Sequence, residues 1–309
     1  MRIVLTLLLG AAALQDPIGR AQDRDMLVAF RFDTRHVVAT VKSELTVSLP
    51  QLARDPVPQP LAKYGYPIFD LPPDLQKLVP SRIRSGDRWS LHTGPGQVFG
   101  ATAERIVLGE GQCSHMIGVL LKVDDKDSYA FAGVRAKYYA AEHASPPSVE
   151  ASASALGEMP ASTLTPEVRA VIDKTLAALV PGELRTGAGR PDYDAQPYRL
   201  TPDGPPLIFV RAFWRAGGRQ VFAAAVWLRA DTGEVVWKNP RIAAWLGAGE
   251  FRRGLMTENL GLVLNVVDSN DDGWGEVVFG QLGYESVGVS LLDARSGFTE
   301  AATGYTYGC

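Results

Sequence analysis

Short apolar and β-branched runs, broken by Gly, Asp and Pro turns, dominate this chain and predict strands along most of it. Met26–Phe32 and Val37–Val41, joined by Asp33-Thr-Arg-His36, predict a hairpin, and Leu45–Leu49 is a further run of the same kind. Trp89–Leu91, Gly96–Phe99, Glu104–Leu108, Met116–Val123 and Tyr129–Val134 then follow as short strands, at a spacing that predicts a small barrel or sandwich. Leu207–Trp214 and Val221–Leu228 are the most apolar runs. Their apolar residues lie on both faces, so both strands should be covered on both sides. Glu234–Trp237, Leu262–Val267, Glu276–Phe279 and Val287–Leu292 complete an antiparallel set.

The helical period is convincing in one place. Val168, Val171, Ile172, Leu176, Leu179 and Val180 share a face opposite Arg169, Asp173 and Lys174. Thr165 can cap this helix, Pro166 suits its first turn, Glu167 favours its positive end, and Pro181-Gly182 stops it. Two stretches lack a period. Prolines crowd residues 50–80, which predicts an extended connector, and Ala, Ser, Pro and Glu fill 144–163, which reads as a linker. Thr186–Pro206 is a further polar, proline-bearing stretch. The fold class is therefore mainly β, of the α+β kind. It comprises a small β barrel or sandwich over 22–143 and, over 164–309, an antiparallel sheet packed with one helix.

Ahead of these elements, Arg2 and the apolar run Ile3–Leu14, with its small residues Gly10-Ala-Ala-Ala13, predict a signal peptide over 1–15, cleaved near Ala13–Gln15. The run is too short to span a membrane, and no later segment approaches that length. An extracytoplasmic location, periplasmic or secreted, follows as the expectation. It changes the reading of the two cysteines, Cys113 and Cys309, because an even count in an exported protein favours a disulfide, with two free thiols as the alternative. A bridge over so long a loop stabilises by roughly 4–5 kcal/mol through the unfolded state. The 309 residues are 46% hydrophobic and 21% charged, with a net charge of −3. That interspersed charge gives no footprint for nucleic acid.

The sharpest chemistry lies in Asp268-Ser-Asn270-Asp-Asp272-Gly273-Trp274-Gly-Glu276. Calcium takes six to eight oxygen ligands from carboxylates and carbonyls. Asp268, Asn270 and Asp272 stand at the first, third and fifth places of the stretch. Gly273 permits the sharp turn at the sixth, Trp274 can lend its carbonyl at the seventh, and Glu276 is ninth. An EF-hand would need a glutamate at the twelfth place, where Phe279 stands, and a helix rather than the strand that follows.

The stretch Asn265–Phe279 instead resembles the FG-GAP (integrin α-type) and VCBS-like repeat loop, a D-x-[DN]-x-DG-x-x-[DE] hairpin that precedes a strand. The resemblance extends from Gly261 to about Glu300 and takes in the turn at Leu291–Gly297. It implies a structural calcium ion held by Asp268, Asn270, Asp272, Trp274 and Glu276. Leu228–Trp237 has a similar look, shared with quinoprotein-type propeller blades, but the full acidic loop occurs once, which argues against a complete propeller.

Other candidates carry less. His36, His92, His115 and His143 show no paired ligand spacing for zinc. Cys113-Ser114-His115 places a nucleophile beside a base in sequence, but neighbours on a strand point to opposite faces. Trp214, Trp227, Trp237, Trp245 and Trp274 could stack on sugars, though strand tryptophans are more often core. These readings favour a non-enzymatic binding or structural module with an extracytoplasmic protein or glycan partner. The alternatives are a secreted hydrolase with an interdomain active site and a carbohydrate-binding protein.

Overall fold

The computed structural model describes residues 26–45, 68–94, 96–110, 115–143, 156–182, 189–216, 219–242, 260–270, 272–283 and 286–308. The leader-like segment 1–15, both cysteines and Trp245 lie outside them, as do most of the proline-rich connector and the first part of the expected linker.

The first unit is a closed barrel. Its strands are β1 (Met26–Arg31), β2 (His36–Leu45), β4 (Arg88–Gly94), β5 (Gln97–Glu110), β6 (His115–Val123) and β7 (Tyr138–His143), with the short β3 (Ile68–Asp70) on the outside of β5. All pairings are antiparallel, in the order β5-β4-β7-β1-β2-β6, and β6 pairs back onto β5 to close the ring. The predicted hairpin is β1–β2, with Ala29 opposite Ala39. Six strands leave a narrow lumen, and the sequence fills it by mixing small with large residues. Ala29, Ala39, Ala101, Ala103 and Ala141 make room for Trp89, Phe99 and Tyr139.

Two expectations fail here for physical reasons. Gly96–Phe99 and Glu104–Leu108 belong to a single strand, β5. It pairs with β4 through its first half and β6 through its second, and its register with β6 shifts between Ala103 and Arg105. Tyr129–Val134 is not a strand. Ser128–Ala132 forms a one-turn helix, α1, because the acidic Asp124–Asp127 turn directs the Phe131 amide onto the Asp127 carbonyl at 2.9 Å. Phe131 enters the barrel, meets Phe99 edge-on at 5.6 Å, and lies under the Arg31 guanidinium at 4.7 Å. Arg31 is satisfied by the Tyr139 hydroxyl at 2.8 Å and the Phe131 carbonyl at 2.9 Å. Tyr129 and Phe131 alternate between solvent and core, and the same alternation suits a strand and one helical turn.

The second unit contains two sheets where one was expected. Sheet B runs β12 (Val235–Ile242), β11 (Arg219–Arg229), β10 (Leu207–Ala216), β9 (Asp192–Arg199), β8 (Gly157–Glu158). Sheet C is the meander β13 (Leu262–Val267), β14 (Glu276–Gly283), β15 (Ser286–Asp293), β16 (Thr299–Gly308). Because β8 pairs with β9, the stretch expected as linker ends inside sheet B. The predicted helix is α2 (Pro166–Leu179), with the Thr165 hydroxyl accepting from the Val168 amide at 3.4 Å.

The layers stack as α2, sheet B, sheet C, barrel. Ile172 and Leu176 of α2 pack on Ile208, Val210, Phe222 and Val226. On the other face of sheet B, Phe209 and Trp227 meet Val266, Val277 and Phe279 of sheet C. The two apolar strands are thus covered on both sides, as their composition demands. The outer face of sheet C sets Val267, Val278, Val289 and Leu291 against Val28 and Ala140 of the barrel. Gly304 allows this close approach, since a Cβ there would stand 2.5 Å from Val28 Cγ1. Asn265 pins the same seam, donating from Nδ2 to the carbonyls of Thr93 at 2.9 Å and Tyr138 at 3.1 Å. Among the described residues, no helix is long and apolar enough to cross a membrane.

Candidate metal site

The acidic stretch is the connection between β13 and β14, and it opens where Val267 pairs with Glu276. A strand follows the loop, as the hairpin reading requires. Asn270 and Asp272 each accept from an amide two residues ahead, the behaviour expected of Asx turns. Asn270 Oδ1 accepts from the Asp272 amide at 3.0 Å, and Asp272 Oδ1 from the Trp274 amide at 2.8 Å. Asp268 Oδ2 reaches across the loop to the Gly273 amide at 3.2 Å. Gly273 has φ +81°, and a Cβ there would meet nothing, so backbone conformation rather than space selects glycine. The Gly275 amide donates to the Leu200 carbonyl at 2.7 Å, fastening the loop to the connection between β9 and β10.

Glu276 is the unusual member. It is 3% exposed, and its Oε2 accepts from both the amide and the hydroxyl of Ser269, each at 2.7 Å. Its Oε1 is buried with no hydrogen-bond partner among the described residues. Burial pushes this carboxyl from its ordinary value near 4.5 up to about 8. The two bonds from Ser269 oppose the rise, and repulsion from Asp268 and Asp272 adds to it. A half-satisfied carboxylate in a core is costly unless a cation or a proton compensates it.

Asp268, Asn270, Asp272, Trp274 and Glu276 are therefore brought onto one loop. As they stand, Asp268 Oδ2, Asn270 Oδ1 and Asp272 Oδ1 face the loop's own amides. Among the described residues, no three His, Cys, Asp or Glu side chains converge closely enough to hold an ion. The donor set nevertheless fits a hard cation in kind, because all its groups are oxygens and the orphaned Oε1 lies on the member whose carboxyl feels both Asp268 and Asp272.

Sequence reasoning missed two neighbours. Ser269 is 1% exposed and anchors Glu276. Arg295, in the turn between β15 and β16, donates to Asp272 Oδ2 at 3.1 Å. The pairing of β14 with β15, Glu276 opposite Asp293, brings that turn beside the loop.

The remaining candidates disperse. His36 bonds Asp33 at 2.8 Å, and His143 stands 3.0 Å from Asp87. His92 is buried with Nε2 3.6 Å from Glu142, and His115 opens β6. Cys113 and Ser114 lie outside the described residues, as does Cys309. The described tryptophans of this set make no common sugar platform. Trp214 packs toward α2, Trp227 is buried toward sheet C with Trp237 beside its cluster, and Trp274 is exposed on the loop. Compared with known proteins, the chain matches no family model, no curated protein and no solved structure.

Proposed function

We propose that this chain is an exported, non-catalytic binding or structural module whose C-terminal sheet is clamped by a calcium ion at the β13–β14 loop. Asp268, Asn270, Asp272 and Glu276 would supply side-chain oxygens and Trp274 its carbonyl. The observation that carries the reading is the buried Glu276 carboxylate, whose Oε1 has no hydrogen-bond partner among the described residues, at the end of an oxygen-bearing loop. A cation there compensates the charge and ties β13 to β14. Because it binds the folded chain alone, it stabilises by mass action and needs no substrate.

Export is supported by Arg2 and the apolar run Ile3–Leu14. The hydrolase reading gains nothing from the seam between barrel and sheet C. On β4, Ser90, His92 and Thr93 are each 3% exposed.

Calorimetric titration of the full chain tests the site. One calcium ion should bind per chain, magnesium should bind more weakly, and Asp272→Ala should reduce calcium affinity by 10-fold or more, about 1.4 kcal/mol. No heat at millimolar calcium would remove the proposal.

A further inference from the structure

A cavity of about 700 Å³ opens beside the loop, where the turns of sheets B and C meet at one end of the sandwich. Its walls are apolar, with Leu200, Leu207 and Val236 on the sheet B side and Phe298 on the sheet C side. Trp274, 37% exposed, forms part of its rim. Charge enters through Asp203, Asp272 and two guanidiniums, Arg229 and Arg295.

The two arginines are not equivalent. Arg229 is engaged by Asp231 through two bonds, Nε at 3.1 Å and Nη2 at 2.9 Å. Arg295 makes one described side-chain bond, from Nη1 to Asp272 Oδ2, which leaves most of its five donors for a ligand. Asp272 is thus shared. Its Oδ1 is taken by the Trp274 amide, so Oδ2, the oxygen now on Arg295, is the one left for a cation in the loop.

We propose that this cavity binds a small organic carboxylate with an apolar body, its carboxylate on Arg295 and its body between Trp274 and Phe298, and that calcium in the loop strengthens the binding through Asp272. The coupling rests on the calcium reading above. The apolar walls reward a hydrophobic body, and a planar guanidinium at their edge selects a carboxylate, which it can take in a bidentate pair. With the loop free of metal, Asp272 both engages Arg295 and repels an incoming anion. A cation on Asp272 removes both obstacles. Coupling between two sites is reciprocal, so the carboxylate raises calcium affinity by the same factor.

Phenylbutyrate is the probe, titrated into the full chain in chelator and in millimolar calcium, read by calorimetry and by tryptophan emission. Phenylbutyramide and glucuronate are the controls for charge and for the apolar body. Phenylbutyrate should bind at least about 5-fold more tightly in calcium, the lower end of ordinary coupling. The amide and the uronate should bind more weakly than the acid.

Arg295→Met, at a half-exposed position, should abolish acid binding while calcium still raises the melting temperature. Asp272→Asn keeps an oxygen for the Trp274 amide and removes the charge. It should bind phenylbutyrate in chelator as tightly as the parent does in calcium. Equal affinity for acid and amide, a preference for glucuronate, or unchanged binding by Arg295→Met would overturn the assignment. If calcium raises the melting temperature but phenylbutyrate binds in neither buffer, this inference fails and the calcium reading stands. If calcium has no effect on the parent, the calcium reading fails, and the coupling fails with it.

Discussion

Glu276→Gln is expected to abolish the calcium response while making the chelated protein more stable than the parent. Glutamine keeps an acceptor for the Ser269 amide and hydroxyl and removes the charge, placing an NH2 where Oε1 stood. The sign follows from the shifted carboxyl. Its folded value is raised from about 4.5 to about 8, so the stability tied to it is fully present below pH 4.5 and is lost as pH rises towards 8. At pH 7 the metal-free parent therefore carries a penalty on the order of 1–3 kcal/mol, which the variant lacks. In calcium the gap narrows, because at a hundredfold excess over Kd the ion stabilises the parent by about 2.7 kcal/mol and has lost a ligand in the variant. Urea unfolding at pH 5 and pH 8, with and without calcium, reads all of this. A chelated variant less stable than the parent at pH 8 would contradict the buried-charge account.

Trp227→Ala should be the most damaging single truncation in the second unit, at about 3–5 kcal/mol. Trp227 is fully buried between sheets B and C and stacks on Phe298 at 4.9 Å, with Tyr198 at 5.2 Å and Phe209 at 5.1 Å. Removing the indole empties the centre of that layer and takes away the support of Phe298, which starts from a strained positive φ of 64°. The urea midpoint should fall with an unchanged m value. Because Phe298 also walls the cavity, phenylbutyrate binding should weaken with it. Trp274→Ala makes the contrast: it removes an exposed ring, and its stability should change by less than about 1 kcal/mol.

The features legible in the sequence are those that local chemistry fixes. Thr165, Pro166 and a clear apolar stripe specify α2 without reference to the rest of the chain. Leu207–Trp214 and Val221–Leu228 announce strands buried on both faces, and the Asp, Asn and Gly spacing announces the β13–β14 turn. What stays hidden is decided by partners. β9 (Asp-Tyr-Asp-Ala-Gln-Pro-Tyr-Arg) and β16 (Thr-Glu-Ala-Ala-Thr-Gly-Tyr-Thr-Tyr-Gly) are too polar to read as strands, and their ladders with β10 and β15 hold them. The division into sheets B and C is likewise invisible, because an apolar face does not name the surface that covers it. The same holds for the site. Asp268, Asn270, Asp272, Trp274 and Glu276 could be located by spacing, but Arg295 and the cavity walls arrive through strand register.

The central claim is that a calcium ion clamps the β13–β14 loop, and thermal unfolding of the full chain tests it most directly. Melting temperatures would be taken in chelator, in millimolar calcium and in millimolar magnesium. A calcium-specific rise of roughly 5–10 °C is predicted, from about 2.7 kcal/mol at a hundredfold excess over Kd and the usual 2–4 °C per kcal/mol. Identical melting temperatures in all three buffers, or an equal rise in magnesium, would contradict it.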